Sequence, residues 1–306
     1  MIKVFIDGSS GTTGLRIHDR LALREDISLI TLPDYLRKDN SAKADAINES
    51  DVTFLCLPDD AAKESVSLVK NPKTVIIYTT TAHRVNPEFT YGFPELKGMR
   101  DRIKVSNKIA NPGCHASGFI ALVRPLIDLG ALDGSEKLSC YSLTGYTGGG
   151  KNMIKDYESA DRPSEFDSPR QYALSGYHKH LPEMSVISGL NKQPAFMPIV
   201  CDFPCGMQVT VPLFAKEHGV SVEQIKDIYK NYYGGEKVVK FVEDGETFLA
   251  SNAFSGRDDM SVSVYGNEEN IFLISRFDNL GKGASGAAIQ NMNVALSLEE
   301  TLGLNL

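Results

Sequence analysis

A chain of 306 residues with 42% hydrophobic and 23% charged residues carries enough apolar material for more than one packed domain, which excludes disordered and fibrous classes. The formal charge of −7 and a pI near 5.5 argue against nucleic acid or an anionic membrane as the main partner. Five cysteines without framework spacing fit a reducing compartment, no apolar run approaches a membrane span, and the chain opens on a strand-like segment without a secretory leader, so a cytoplasmic protein is expected.

Ile2 to Ile6 reads as an apolar strand ending in Asp7-Gly8-Ser9-Ser10-Gly11-Thr12-Thr13-Gly14, with a helix-like stretch from Leu15 to Leu23 behind it. Strand, glycine turn and helix is the context a dinucleotide needs. The spacing is G-x-x-G-x-x-G, but the mechanics match the commoner fingerprint. Gly8 makes the tight turn, Gly11 lets the backbone approach a pyrophosphate, and Gly14 lets helix and strand pack closely. A glycine turn without a ligand is the alternative, and the flanking elements favour the nucleotide. A second strand, Ile27 to Leu32, lacks the acidic tip that grips a ribose 2′-hydroxyl. Arg37 and Lys38 beyond it suit a 2′-phosphate, favouring NADP over NAD, although Asp34 stands close by.

Val52 to Leu57, a helix around Ala61 to Lys70, and Thr74 to Tyr78 continue the alternation and imply a parallel sheet with right-handed crossovers; Cys56 is read as packing. Thr79 to Arg84 then lie at the carboxyl end of a strand, where such sheets place ligands. Arg84 either grips a phosphate or carboxylate there or is a surface arginine.

Asn111-Pro112-Gly113-Cys114 closes a polar turn and opens the apolar run Phe119 to Val123, a helix whose register Pro125 ends or kinks. A thiol at a helix start lies among unpaired N–H groups that favour its anion and can hold an oxyanion formed when it attacks a carbonyl. Cys114 is therefore a candidate nucleophile, with a small core residue as the competing reading. Lys137 to Thr144 alternates like a half-solvated strand and runs into Gly145 to Lys151, either a flexible linker or a loop lining the site, the latter favoured, in which Lys151 and the hydroxyls border a substrate anion. Residues 155–170 show no core element.

Tyr177 to Glu183 crowds His178 and His180 together with a carboxylate three residues after the second. A histidine held by a glutamate can shuttle protons near neutral pH; a surface segment or a His-x-His metal pair are the alternatives, and metal is disfavoured because Cys201 and Cys205 make a poor zinc signature. Met207 to Phe214, Ser261 to Tyr265 and Asn270 to Ser275 suit a mixed or antiparallel sheet, and Val222 to Tyr232 an amphipathic helix. Asp278 to Gly286 is a second glycine-rich helix start and candidate anion site. It opens a long helix, Ala287 to Leu302, expected to return to the first domain over the nicotinamide.

Together these parts point to a thiolate that takes an acyl group from phosphate and holds it as a thioester for reduction by hydride from a reduced nicotinamide. Asn-Pro-Gly-Cys at 111–114, His-Lys-His-Leu-Pro-Glu at 178–183, Asp-Asn-Leu-Gly-Lys-Gly-Ala at 278–284 and Gln290-Asn291-Met292-Asn293 carry a closer match. By them the chain resembles the shorter N-acetyl-gamma-glutamyl-phosphate reductases, of the semialdehyde dehydrogenase superfamily, over almost its whole length. The resemblance implies an α/β fold: a Rossmann-type parallel-sheet NADP domain at 1–113, completed by a C-terminal helix at 283–306, and an α+β catalytic and dimerisation domain with a mixed sheet at 114–282. It makes Cys114 the nucleophile, His180 the acid/base and Glu183 its orienting partner, with Arg84, His178 and Lys151 as substrate contacts. Gly8, Ser10, Gly11, Thr12, Thr13, Gly14, Arg37, Gly283 and Asn291 would hold NADP, and no metal is implied. The implied reaction is reduction of an N-acetylglutamyl phosphate to the semialdehyde and phosphate in arginine biosynthesis, by a homodimer or homotetramer. Aspartate-semialdehyde dehydrogenase, a carrier-linked lysine-pathway relative, a cysteine hydrolase and a silent NADP sensor are the rival readings. His115-Ala116 replaces the Tyr-Pro common after the nucleophile, and Thr81-Ala82-His83-Arg84 departs from the usual pattern before the arginine.

Overall fold

The computed structural model describes residues 1–306, which divide into two compact units: Met1–Gly113 with Ala284–Leu304, and Cys114–Gly283 with Asn305–Leu306. The first contains β1 (Ile2–Asp7), α1 (Thr12–Leu21), β2 (Ile27–Ile30), α2 (Asn40–Glu49), β3 (Val52–Leu55), α3 (Asp59–Ser67), β4 (Val75–Tyr78), β5 (Thr90–Tyr91), α4 (Met99–Lys104) and β6 (Lys108–Ala110). Its strands form one parallel sheet in the order β2-β1-β3-β4-β6-β5. They are apolar on both faces because both faces are covered. Val4, Ile6, Phe54 and Ile77 pack with Ile17 and Leu21 of α1 and with Ile289 and Met292 of the C-terminal helix, Gly286–Ala295. Phe5, Leu55, Ile76 and Tyr78 pack instead with Ile47 of α2 and Ala62 of α3. Each such side chain contributes about 1.5–3 kcal/mol on leaving water.

The C-terminal segment differs from the expectation of one helix over 283–306. Gly281–Ser285 form a π turn, and the helix proper ends at Ala295 rather than near Leu302. Its stop is local: Ser297 adopts φ +56°, the Leu298 N–H reaches back to the Asn293 carbonyl at 2.8 Å, and the Asn293 amide donates to the carbonyls of Glu300 and Leu302 at 3.0 and 2.9 Å.

The second unit contains α5 (Cys114–Asp128), β7 (Ser139–Gly145), α6 (Gly150–Glu158), β8 (Arg170–Gln171), α7 (Leu181–Ser188), β9 (Ala195–Cys201), β10 (Met207–Phe214), α8 (Ala215–His218), α9 (Val222–Tyr232), β11 (Val239–Phe241), β12 (Met260–Gly266) and β13 (Asn270–Phe277). The sheet runs β11-β12-β13-β10-β7-β9-β8 and is mixed, antiparallel through β12, β13, β10 and β7 and parallel at β7 to β9 and β11 to β12. The expected pairing of a parallel sheet with a mixed one is therefore what the chain builds. Helix α5 lies close on this sheet because Gly118 has no side chain; a Cβ there would stand 2.4 Å from Val209 and 2.7 Å from Ser275. Pro125 stays inside α5 without ending it.

The glycine cluster is not the loop its composition suggests. Tyr146–Gly149 form a 3-10 turn and Gly150 opens α6, whose Tyr157 is buried against Tyr146. Gly150 at φ +77° supplies the left-handed step into the helix, and Gly149 makes room for Met153. Residues 155–158, read as lacking a core element, thus belong to a packed helix.

Candidate active site

In the first unit, the site begins where β1 ends. Asp7 is buried, pairs with Lys43 at 3.3 Å and accepts the Ser65 hydroxyl at 2.7 Å, which pins the strand tip to α2 and α3. Gly8 follows at φ +89° and accepts the Gly11 N–H at 2.9 Å. The three glycines have different reasons. A Cβ on Gly8 would stand 2.6 Å from the Cys56 carbonyl oxygen and one on Gly14 2.3 Å from that of Gly8, so the fold itself demands both. A Cβ on Gly11 would meet nothing nearer than 3.4 Å. Its bareness matters to what lies outside the turn, at a helix start whose N-cap offers no side chain to the free N–H groups. Beside the turn is a cavity of about 290 Å³ lined by Gly8, Ser9, Ser10, Leu29 to Leu32, Arg37 and Lys38. Arg37 also meets Asp34 at 2.9 Å. A glycine turn, donors at a helix start and a pocket with two cations at its rim fit the pyrophosphate and the phosphorylated ribose of NADP.

Other residues of this unit gather at the carboxyl ends of β4 and β6. Asp59 accepts from Thr81 N–H at 2.9 Å, its hydroxyl at 2.5 Å and Ala82 N–H at 3.2 Å, ordering the segment that carries Arg84. Arg84 is buried and donates from Nε to the Asn111 carbonyl at 3.0 Å and from Nη2 to the Thr79 carbonyl at 3.1 Å. It is neither a surface arginine nor wholly committed outward, since it clamps two strand ends together. Asn291 donates to the Gly92 carbonyl at 2.9 Å and to Asn111 Oδ1 at 3.0 Å, while its own Oδ1 is buried without a hydrogen-bond partner. An acceptor left unsatisfied there suits the amide of a ligand.

In the second unit, Cys114 is the first residue of α5, half-buried, with no acidic residue in the first turn to oppose an anion. Gly283 lies against it, because a Cβ at 283 would come within 2.9 Å of Cys114 Cβ and 3.0 Å of the Asp278 carbonyl oxygen. The same motif holds its own loops: Asp278 accepts from Gly256 and Leu280 N–H groups at 2.5 and 2.7 Å, and Asn279 accepts from Gly206 N–H at 2.9 Å and donates to Thr147 at 3.1 Å. These glycines therefore have packing reasons, and the segment is buried rather than an open anion turn.

His180 caps α7 and is 4% exposed; Glu183, one turn on, is 1% exposed. Ionisable groups this deep are held by partners. The His180 backbone N–H donates to His178 Nδ1 at 3.1 Å, and the two rings meet edge to face at 4.8 Å. On the nucleophile's helix, against both rings, stands a residue that the sequence marks only as a departure. The His115 ring lies 5.5 Å from that of His178 and 5.6 Å from that of His180, with Phe196 at 5.3 Å. Its Nδ1 shares a 2.7 Å hydrogen bond with Ser142 Oγ and its Nε2 one of 2.7 Å with Tyr172 Oη. Burial, with His178 and Lys179 adding to the effect, pushes the imidazole down to about 3, so it is neutral. Burial, with Cys114 behind it, raises the Tyr172 phenol, so it stays protonated. Lys151 sits exposed in the first turn of α6 and joins none of these ring contacts.

Residues 34–106 match the family described as semialdehyde dehydrogenase, NAD binding domain, and residues 114–279 that described as semialdehyde dehydrogenase, dimerisation domain. Over 305 aligned residues the chain is 43% identical to an N-acetyl-gamma-glutamyl-phosphate reductase of Brucella ovis, covering 96% of this chain and 98% of that one. It is equally 43% identical to N-acetyl-gamma-glutamyl-phosphate reductase 2 of a Nostoc species, covering 99% of both. Among solved structures, aspartate semialdehyde dehydrogenase II of Vibrio cholerae superposes with a TM-score of 0.70 at 15% identity over 97% of this chain and 98% of that one. The enzyme of Francisella tularensis gives 0.70 at 14%, over 96% and 99%. At those identities the likeness is one of fold.

Proposed function

The chain belongs to the N-acetyl-gamma-glutamyl-phosphate reductase family of the semialdehyde dehydrogenase superfamily, and from that premise we propose how its own residues carry out the NADPH-dependent reduction of N-acetyl-L-glutamyl 5-phosphate in arginine biosynthesis. The observation that carries the proposal is Cys114 at a helix start in the same unit as the buried His180 and the half-buried His178 beside it. The Cys114 thiolate attacks the acyl carbon, the C–O bond to phosphate breaks, and a thioester remains on the sulfur. Gly8, Ser10, Gly11 to Gly14 and Arg37 would hold NADPH, which when bound would supply the hydride for that carbon. His180 donates a proton to the oxygen as charge develops on it, then takes it back as the C–S bond breaks and the semialdehyde leaves. Glu183 orients His180. His178 accepts a backbone N–H at Nδ1, which commits its Nε2 to carrying the proton. That supports His178 as a fixed donor to substrate and His180 as the group that exchanges protons. Arg84 and Lys151 contribute positive charge toward the phosphate, Arg84 while holding the Asn111 carbonyl. Asn291 offers its Oδ1 to the nicotinamide amide.

We assign self-association to the uncovered face of the mixed sheet. Tyr141, Leu143, Met197, Ile199 and Pro212 are only partly covered there and Phe272 is 40% exposed. Gln208 Oε1 and Thr210 Oγ1, which share that face with them, are buried without partners. A second copy laid on this face supplies both apolar cover and hydrogen bonds. Phe272→Glu should give a particle of one 33.5 kDa chain by light scattering; unchanged association would overturn the assignment. No helix is long and apolar enough to cross a membrane, and the free cysteines support a reducing cytoplasm as the compartment.

The decisive assay follows phosphate-dependent NADP reduction with N-acetylglutamate semialdehyde and with aspartate semialdehyde. Preference for the acetylated substrate supports the proposal, and preference for the other overturns it. Cys114→Ser should abolish turnover and keep NADPH binding.

A further inference from the structure

We propose that Tyr172, oriented by His115 and Ser142, is a further residue of this site, whose hydroxyl donates a hydrogen bond to the Cys114 sulfur and to the oxygen that develops beside it. The inference rests on the reaction proposed above. Its starting point is a chain of side chains that packing alone does not require. A neutral imidazole has one N–H and one lone pair. With Ser142 Oγ donating to Nδ1, Nε2 carries the proton and donates to Tyr172 Oη, both at 2.7 Å. The phenolic hydrogen is then directed away from His115. Reversing the chain would turn that hydrogen back onto the imidazole and leave the sulfur without it.

Two further observations place Tyr172 at the reacting end. His115, whose Nε2 lies 2.7 Å from the Tyr172 hydroxyl, directly follows Cys114 at the start of α5, so the hydroxyl lies at the nucleophile's end of that helix; burial, with Cys114 adding to it, raises the phenol. Next along the chain, Ala173 sits at φ +55°, a left-handed conformation that alanine rarely adopts. The tyrosine amide meanwhile stays tied to Pro198 by a 3.0 Å bond to its carbonyl. Strain kept in the residue that follows a side chain is the pattern of a segment held for what that side chain does. His115 acts through Tyr172, as a positioning residue. The groups facing it are Ser142 and Tyr172, the rings of His178, His180 and Phe196, and the charge of Lys179.

The full-length protein tests this in two ways. In turnover, Tyr172→Phe should lower kcat by roughly a hundredfold, the scale for losing one donor to a developing oxyanion, with KM within about twofold. His115→Phe should do the same, the double variant should be no worse than either, and His115→Gln, which keeps one acceptor and one donor, should recover most of the loss. In the absence of substrate, mass spectrometry of residue 114 after iodoacetamide treatment reads the sulfur directly. Tyr172→Phe should move the pH profile of that alkylation to higher pH. Wild-type kcat in Tyr172→Phe, or an alkylation profile that does not move while only thermal stability falls, would overturn the assignment. If the wild type does not turn over the acyl phosphate, the reaction proposed above fails, and the alkylation profile still decides the role of Tyr172.

Discussion

The Tyr233 hydroxyl donates to the Ala121 carbonyl at 2.7 Å, in the place where the nucleophile's helix lacks a bond of its own. Pro125 has no N–H to offer the carbonyl four residues earlier, so without Tyr233 a buried acceptor would go unpaired. The neighbouring Leu122 carbonyl is met in the same way by Tyr229 at 2.5 Å. A helix that starts with the reactive thiol is thus kept continuous by the helix behind it. Tyr233→Phe should destabilise the protein by about 1–3 kcal/mol, the cost of orphaning a buried carbonyl, measured by urea unfolding. A change within ~0.5 kcal/mol would mean that the proline leaves no gap to fill.

The chain's thiols should not react alike. Burial pushes Cys56 up to about 12 and raises Cys140 and Cys201 as well, whereas Cys114 is half-buried at a helix start. Brief iodoacetamide treatment near neutral pH should modify Cys114 well ahead of those three, and loss of activity should follow its modification in step. Equal labelling of Cys140 would show that the second unit opens more readily than its packing implies.

The glycine turn separates folding from binding. Gly14→Ala drives a Cβ to 2.3 Å from a backbone oxygen, where neither atom can yield easily, and should cost roughly 1–3 kcal/mol or more of stability. Gly11→Ala meets nothing nearer than 3.4 Å and should unfold like the wild type. Its methyl group stands instead where a pyrophosphate approaches, so NADPH affinity should fall by about tenfold or more, read by fluorescence titration. Unchanged affinity in Gly11→Ala would remove the turn from the cofactor site.

Much of this was legible from pattern. The strand Met207–Phe214 and the helix Val222–Tyr232 have the bounds that their alternation and amphipathicity predict, and strand, glycine turn and helix follow in the expected order at the start of the chain, although that helix spans Thr12–Leu21 rather than Leu15 to Leu23. What escaped depends on particular side-chain contacts, some local and some remote in sequence. The end of the C-terminal helix is set by the Asn293 side chain reaching forward to Glu300 and Leu302, which no periodicity records. Helix α7 is short, and it buries Glu183, Ser185 and Ser188 while exposing Val186, so it shows no apolar stripe. His115, Ser142 and Tyr172 meet only because β7 and β9 pair in parallel beside α5. The only available signals were a histidine directly after the nucleophile and a serine on the same face of its strand as Cys140 and Thr144.

His115 also makes a prediction about acid. Its imidazole, ordinarily near 6.5, is pushed down to about 3 in the folded protein by burial, with His178 and Lys179 adding to the effect. The unfolded chain therefore binds a proton that the folded chain refuses, and stability falls as pH drops below 6.5. Above that value the group is neutral in both states and contributes no slope. Below it, one such histidine removes up to about 1.4 kcal/mol per pH unit. Carboxylates begin to titrate at lower pH, so the window between about pH 6.5 and 5 isolates the histidine contribution. Urea unfolding across it should show the wild type losing stability more steeply than His115→Gln, which keeps a donor and an acceptor but no titrating ring. Parallel slopes would mean that the imidazole accepts its proton without leaving the fold, and that the Ser142 and Tyr172 bonds do not hold it neutral.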